Sequence, residues 1–405
     1  MTIEMKNNKN NNCNFPTLRF PEFSGEWKKD IIGNVISVKS EKYNPHSNRT
    51  EFICVELESI SQGTGELLET FNSAEQKSIK NKFSPGTVLC GKLRPYLRKF
   101  YLPYFEGVCS SEIWVMRSNK IEPAFLYSFI QTPYFISLAN QSSGSKMPRA
   151  DWGLIETSKI AYPPNSAERV KIGKFLKLID ERIATQNKII EEYKKLKNAL
   201  AESLYYPKKS QELLKLKGLN SKWEQCFLKD VVENFCRRNK SHIQYPMYSV
   251  TNDLGFVPQS EKFEERTMMG EDISSYKVIN KGDFAYNPAR INVGSIAKYE
   301  GDNPCMISSL YVCFRPKYNI SSEWLQHLLK SQRMIYNYNL FGEGGVRIYL
   351  FFPNFGRIKI SIPPLEEQKK IAAVISTIEQ KISVENFILD KLNTQKSFLL
   401  TKMFI

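Results

Sequence analysis

Five places in the chain hold residue types whose spacing could do chemistry. Gly86 to Phe100, GTVLCGKLRPYLRKF, contains the Gly-x-x-x-x-Gly-Lys of a phosphate-binding loop. That loop needs Ser or Thr directly after its lysine to ligate magnesium, and Leu93 stands there. The residues between the glycines, Thr87-Val88-Leu89-Cys90, read as a buried strand rather than as a cradle of bare amides. YNPAR, from Tyr286, lacks the second proline and the aromatic of an Asn-Pro-Pro-aromatic methyl-transfer motif. FGEGG, from Phe341, has no strand, helix and downstream acid arranged for a dinucleotide. Glu367-Gln368-Lys369 mimics a nuclease Glu-x-Lys but falls at a predicted helix start, where acids are expected anyway. Finally, His46, His242 and His327 form no pair at metal spacing, and none of the eight cysteines forms Cys-x-x-Cys. With no nucleophile beside a base, the chain reads as catalytically silent, without metal or cofactor. A fused nuclease or methyltransferase with unrecognised motifs is the alternative.

The chemistry that remains is anion recognition. Lys92, Arg94, Arg98 and Lys99 are interleaved with Tyr96, Phe100 and Tyr101, as on a strand and loop facing nucleic acid. Arginine suits bidentate contact with guanine and lysine suits phosphate. In the second half, YNPARINVGS offers Asn287 for adenine and Arg290 for guanine or phosphate. CRRNKSH adds Arg237, Arg238 and Lys240 as phosphate contacts. Two glycine-containing loops, SSGSKMPRA and FGEGGVRIY, contribute Lys146 and Arg149, then Arg347 and Tyr349. Their glycines let backbone approach a phosphate, or they serve only to turn the chain. For any one of these cations the alternative is a solvated basic edge that discourages strand aggregation. The lysines between 187 and 198 read as the solvated or partner-facing side of a helix.

Composition agrees with an anionic partner. Lys plus Arg number 57 against 42 Asp plus Glu, a net charge of +15. Nucleic acid and acidic membrane both answer to that, but no run approaches the roughly 18 apolar residues of a membrane span. Hydrophobic residues at 41% and charged ones at 24% are globular composition, and 405 residues are too many for one core. The first thirteen residues, MTIEMKNNKNNNC, lack the apolar stretch of a signal peptide. Reduced, mostly buried thiols in a cytoplasmic protein are expected.

What positions the loops is an internal repeat. IAYPPNSAERVKIGKFLKLIDERI begins at Ile160 and ISIPPLEEQKKIAAVISTIEQKI at Ile360. After the double prolines, Ile172, Leu176, Ile179 and Ile183 align with Ile371, Ile375, Ile378 and Ile382, spaced 4, 3 and 4 as in a coiled-coil seam. The prolines suit a helix entrance, Asn165 with Glu168 can form a capping pair, and Glu366 and Glu367 complement the second dipole. The first helix is expected to run to about Tyr205, before Pro207, roughly 50 Å. The second is expected to run to the chain end. Two matched long helices pair with each other more economically than each packs on a local core. Upstream, WKKDIIGNVI from Trp27 parallels WEQCFLKDVV from Trp223, and SSEIWVMR from Ser110 parallels SSLYVCFR from Ser308. EIWVM and SLYVCF suggest strands, while AFLYSFI and EWLQHLL suggest short helices. The fold class is α+β: two similar mixed α/β globules, each followed by a long helix, with the helices pairing as an antiparallel coiled coil. The expected boundaries are a disordered tail at 1–14, globules at 15–162 and 208–361, and helices at 163–207 and 362–405.

This order, with LRFPEFSGEW (Leu18 to Trp27), GKLRPYLRKF (Gly91 to Phe100) and IPPLEEQKKIAAVISTIEQKI (Ile362 to Ile382), resembles the specificity subunit of type I restriction–modification enzymes. The resemblance covers the chain from about Phe15 to Ile405. It implies that each globule is a target-recognition domain reading one half of a split double-stranded DNA sequence, with Lys92 and Arg94 near the groove. It further implies that the coiled coil is a spacer that docks two modification subunits, and that restriction subunits, which carry the motor and nuclease, join that core. Physically, a rigid coil would fix the gap between half-sites about one turn, roughly 34–36 Å, apart. Two globules of different sequence would read unlike halves. A protein–protein scaffold, with globules that are merely structural, is the other alternative.

Overall fold

The computed structural model describes residues 14–47, 50–141, 147–206, 223–259, 273–345 and 347–405. All but residue 14 of the expected N-terminal tail lies outside them. The chain divides into two compact units, Met1–Ile189 with Glu385–Ile405, and Ile190–Val384. Both boundaries fall inside long helices, Ser166–Tyr205 and Leu365–Lys402, here the central and terminal helices. Where the sequence reading set the helices apart as separate segments, the structure assigns each part of a helix to the core it helps to bury.

In the first unit, Lys28–Ile31 pairs antiparallel with Lys159–Tyr162, and the second of these strands leads through Pro163-Pro164 into the central helix. A three-stranded antiparallel sheet runs in the order Phe100–Tyr101, Val88–Gly91, Ile113–Met116. Val88, Leu89, Ile113 and Val115 are fully buried, which is why this apolar run is a strand and not a nucleotide loop. A five-stranded sheet runs Lys42–Tyr43, Lys80–Phe83, Gly107–Cys109, Ile53–Val55, Phe71–Asn72, with one parallel pairing between its third and fourth strands. The apolar helix-like stretches form Pro123–Phe129 and Pro133–Ala139, each with proline in its first turn. Thr132 caps the second by accepting from the Phe135 amide at 3.2 Å.

The second unit repeats the plan. Glu224–Phe227 pairs with Lys359–Ile362, which leads through Pro363-Pro364 into the terminal helix. Its main antiparallel sheet runs Val232–Phe235, Val312–Pro316, Phe284–Tyr286, Ile296–Lys298. Ser322–Leu329 and Gln332–Phe341 follow, capped by Ser321 and Ser331.

The junction between globule and helix is built alike in both. Trp27 Nε1 donates to Glu168 Oε1 at 3.3 Å, and Trp223 Nε1 donates to Glu367 Oε1 at 3.1 Å. One residue on, Arg169 donates to the Pro163 carbonyl at 2.7 Å and forks onto Glu122. Gln368 donates to the Pro363 carbonyl at 2.9 Å and accepts from the Ser321 amide at 2.8 Å. Glu122 and Ser321 both precede the short helix of their globule, so each long helix is clasped to the same place. The expected capping pair is therefore half correct. Asn165 Oδ1 accepts from the Ala167 amide at 2.9 Å, but Glu168 does not reach back to cap. It is 1% exposed and binds the Arg19 guanidinium at 2.7 and 2.8 Å, because a buried carboxylate needs a charged partner more than a turn needs a cap.

The expected isoleucine stripes lie in these cores. Ile172, Leu176, Ile179 and Ile183 share a core with Phe125 and Tyr127 of their globule, with Leu392, Leu399 and Leu400 of the terminal helix, and with Phe404 just past its end. In the second unit, Ile371 and Ile375 share a core with Leu204, Tyr205, Trp324 and Phe355, whereas Ile378 and Ile382 are half-buried. One apolar face thus serves both local packing and helix pairing, which the sequence reading had set against each other. Pairing is antiparallel within each unit. Lys396 meets Asp180 at 2.5 Å and Gln186 donates to the Glu385 backbone at 3.0 Å, while Lys197 meets Glu379 at 3.3 Å.

Candidate nucleic-acid interface

In each globule two loops are tied together, and these loops hold most of the cations singled out above. In the first, residues 92–99 join the strands Val88–Gly91 and Phe100–Tyr101. The Ala150 amide donates to the Lys92 carbonyl, and the Arg94 amide donates to the Pro148 carbonyl, both at 2.8 Å. Lys92 and Arg94 thereby sit beside Arg149. Lys146 lies outside the described residues.

The loop is bent by a single 3-10 turn, Pro95–Leu97, with Arg94 and Arg98 at its ends in the left-handed region, φ 50° and φ 52°. Among the described residues only one other non-glycine residue has positive φ, His242. A side chain in that region costs about 1–2 kcal/mol, and Arg94 also precedes a proline, which restricts it further. Both arginines and Tyr96 are exposed and Lys92 is half-exposed. Exposed cations on strained backbone make this loop a candidate for contact.

Two residues of this set carry internal duties. The Lys99 ammonium donates to the Leu57 carbonyl at 2.5 Å, and desolvation lowers its pKa. It anchors the loop, because the alternating strand register turns it inward. Gly91 allows that approach, since a Cβ there would stand 3.0 Å from Leu57 and 3.4 Å from Lys99. The Arg149 fork is closed on Glu112 at 3.1 and 3.2 Å, although the side chain stays largely exposed.

In the second globule, residues 287–295 occupy the equivalent place between Phe284–Tyr286 and Ile296–Lys298, again around a 3-10 turn, Ile291–Val293. The Leu350 amide donates to the Pro288 carbonyl at 3.0 Å, tying this loop to the one that carries Arg347 and Tyr349. Arg290 and Arg347 are exposed. Asn287 is half-buried, and its Oδ1 accepts from the Ala289 amide at 3.0 Å. It shapes the loop as an Asx turn, so the bidentate adenine contact expected of it would have to share that oxygen. Glu343 and Tyr349 exchange backbone hydrogen bonds at 2.8 Å around Gly344, whose φ of 111° suits only glycine.

The sequence reading missed Phe351. Its ring lies parallel to that of Tyr349 with centroids 6.3 Å apart, and it is 52% exposed. The signal was the two-residue spacing, which puts both rings on one side of extended chain.

The third expected set is not brought to these loops. Arg238 is bridged to Lys277, and the Val278 amide donates to the Arg237 carbonyl at 2.8 Å, so the turn is built on a different strand. Arg237 and Arg315 share the Phe235 ring and approach the buried Asp283 at 3.4 and 3.7 Å. Arg238 and Lys240 are exposed. Glu367-Gln368-Lys369 is absorbed by the helix clasp and by a Lys369–Glu366 pair at 2.9 Å. Burial pushes the thiols of Cys54, Cys90, Cys305 and Cys313 up to about 12, so they stay protonated. Among the described residues no group of His, Cys, Asp and Glu could hold a metal, and no helix is long and apolar enough to cross a membrane.

A family model described as the type I restriction modification DNA specificity domain matches residues 26–195 and again 220–394. Over 304 residues, 69% of each chain, the sequence is 26% identical to the type I restriction enzyme MjaVIII specificity subunit of Methanocaldococcus jannaschii. It is 24% identical over 177 residues to the EcoDI specificity subunit of Escherichia coli, covering 40% of this chain and 39% of that one. The crystal structure of the type I S subunit from M. genitalium superposes with a TM-score of 0.58 at 17% identity, covering 96% of this chain and 99% of that one, and so supports the fold.

Proposed function

The chain belongs to the type I restriction modification DNA specificity family, and from that premise we propose that its two globules each read one half of a bipartite double-stranded DNA target. The observation that carries this reading is the repeated pairing of loops, 92–99 with 148–150 and 287–295 with 347–350, each presenting exposed arginine from a strand-braced turn. In the first globule Lys92, Arg94, Tyr96 and Arg98 contact the duplex. In the second, Arg290, Arg347 and Tyr349 do so, with Asn287 setting the loop. Arg237, Arg238 and Lys240 supply phosphate contacts from a separate turn. The subunit itself is non-catalytic: it supplies the address, and the partners that act on DNA supply the chemistry.

The long helices act as the ruler. Forty helical residues rise about 60 Å, more than the one-turn spacing of roughly 34–36 Å between half-sites on one face of B-DNA. Their outer faces dock two modification subunits, and restriction subunits join that core. Leu178, Phe387 and Phe398 are apolar and 49–62% exposed on these helices, as a docking face requires.

The test is selection from a random duplex library by the chain co-purified with its modification subunits, at near-physiological salt. The expected product is two unlike half-sites at one fixed gap, with a swap of the first globule changing one half alone. A well-folded complex that recovers no motif would overturn the specificity reading and leave a scaffold.

A further inference from the structure

The second unit carries a basic cleft of about 620 Å³ that the DNA-reading scheme does not use. Lys229, Arg333, Arg357 and Lys359 line it, and no acidic side chain does. All four are exposed. Aromatic rings hold the cations in place. Arg333 lies 4.5 Å from the Tyr206 ring centre, while Lys229 and Lys359 lie 5.4 and 5.8 Å from that of Phe227. Because cations already cover those rings, they are poorly placed to stack a base, and recognition here is by charge.

The internal repeat shows that the fold does not demand this cluster. Aligning the paired strands Lys28–Ile31 with Glu224–Phe227, and Lys159–Tyr162 with Lys359–Ile362, puts Gly33 where the second unit has Lys229. By the same alignment Thr157 stands in place of Arg357, and only Lys159 matches a cation, Lys359. The first unit keeps Lys159 and has Lys29 in place of Gln225, but it lacks the Lys229 and Arg357 cations of the second.

The cleft also faces away from the DNA-reading loop. Arg333, Asn337 and Phe341 line it from one side of the helix Gln332–Phe341, spaced four apart. Ile335 and Asn339 lie on the opposite side of that helix. Asn339 accepts from Asn292 at 3.4 Å, and Ile335 stands 3.8 Å from where a Cβ on Gly294 would be. The helix therefore separates the cleft from loop 287–295.

We propose that this cleft is a docking site for an acidic segment, rich in Asp and Glu, of a partner protein. The proposal rests on reading the chain as a subunit of a larger complex, and charge complementarity selects the occupant. Placement behind the helix argues against the duplex that the loop reads.

The test uses the full chain and a fluorescein-labelled octaglutamate peptide, followed by fluorescence anisotropy. The expected result is binding that weakens at least tenfold in the Arg333→Glu, Arg357→Glu double variant. The same charge change in the first unit, Lys28→Glu with Lys39→Glu, should weaken it less than twofold. The neutral pair Arg333→Gln, Arg357→Gln should weaken it at least threefold, which guards against a reversal that harms folding. Equal loss in both reversed variants, or no binding by the wild type, overturns the proposal. So does competition by a 20-base-pair duplex that is as effective per charge as the peptide, since nucleic acid would then be the occupant. Library selection keeps the two readings apart: a double variant that still recovers both half-sites but ignores the peptide is expected. A double variant that loses one half-site makes the cleft part of DNA reading and sinks the proposal.

Discussion

Arg94→Gly should separate stability from recognition in one substitution. Arg94 sits at φ 50°, ψ 63°, immediately before Pro95, and its amide is held by the Pro148 carbonyl at 2.8 Å. Removing the Cβ relieves about 1–2 kcal/mol of left-handed strain, while the added freedom of glycine in the unfolded chain takes back about 0.5–1 kcal/mol. The variant should therefore unfold at the same denaturant concentration as the wild type or a higher one, by up to about 1.5 kcal/mol. Affinity should move the other way. A lost bidentate base contact costs about 1–3 kcal/mol of discrimination at one position of the first half-site. If the arginine serves phosphate instead, binding weakens for all sequences and the slope of log affinity on log salt falls by about 0.9. Arg94→Ala is the control: it keeps the strain and loses the guanidinium, so it should lose the same affinity without gaining stability. Urea unfolding and anisotropy titrations on the selected duplex at several salt concentrations read both quantities. A glycine variant less stable by more than about 1 kcal/mol, or one with unchanged affinity and salt slope, would refute the argument that strain is held here for contact.

Three further outcomes follow from the junctions and cores. Glu168→Gln takes the counter-charge from the part-buried Arg19 guanidinium, which keeps the Ser24 and Gly25 carbonyls, and should cost about 1.5–3 kcal/mol in urea unfolding of the first unit, whereas the exposed Glu366→Gln should leave the midpoint unchanged. Leu176→Ala, at 1% exposure, should cost about 2–5 kcal/mol by denaturant midpoint, and the half-buried Ile382→Ala clearly less. His327 is buried with Nε2 3.0 Å from Ser376 Oγ and Nδ1 3.6 Å from Glu379. Desolvation lowers its pKa from 6.5, outweighing Glu379 and Glu323, with Lys197 and Lys330 adding to the depression. The unfolded chain then binds the extra proton first, so stability present above about pH 6.5 should be lost as pH falls below it, and His327→Gln should flatten that slope in unfolding curves taken between pH 7.5 and 5.5.

The fold was legible wherever local pattern decides it. The apolar runs at Val88 and Ile113, the proline-led helices and the repeat itself all follow from periodicity and backbone stereochemistry. What escaped depends on partners distant in sequence. Glu168 looked like a cap because its neighbours are visible, whereas Arg19 stands 149 residues away. Lys99 looked like a free cation because nothing in RKF shows that strand register turns it onto Leu57. The left-handed arginines were beyond reach, since arginine has no preference for that region and the backbone ties that accompany it, Arg94 to Pro148 and Arg98 to Gly63, are distant in sequence. The helix stripes gave the right residues, but one apolar face can meet two surfaces, and spacing alone does not count them.

The repeat also separates what the architecture needs from what recognition needs. Trp27 with Glu168 and Trp223 with Glu367 are the same contact kept in both halves, and Arg169 and Gln368 reach the same proline carbonyl with different chemistry. The junction tolerates a change of residue as long as a donor spans the same gap, so its job is geometric. The loops obey the opposite rule. Their backbone placement is retained, with a 3-10 turn and a tie to the following loop in each globule, while KLRPYLRK and NPARINVGS share at matching places only the arginine that opens the turn, Arg94 and Arg290. A constant frame that carries divergent side chains is what two readers of unlike sequence require. In the first loop the turn is flanked by left-handed, exposed Arg94 and Arg98; in the second, exposed Arg290 has ordinary backbone and Gly294 takes the left-handed place, so the frame repeats while the strain does not.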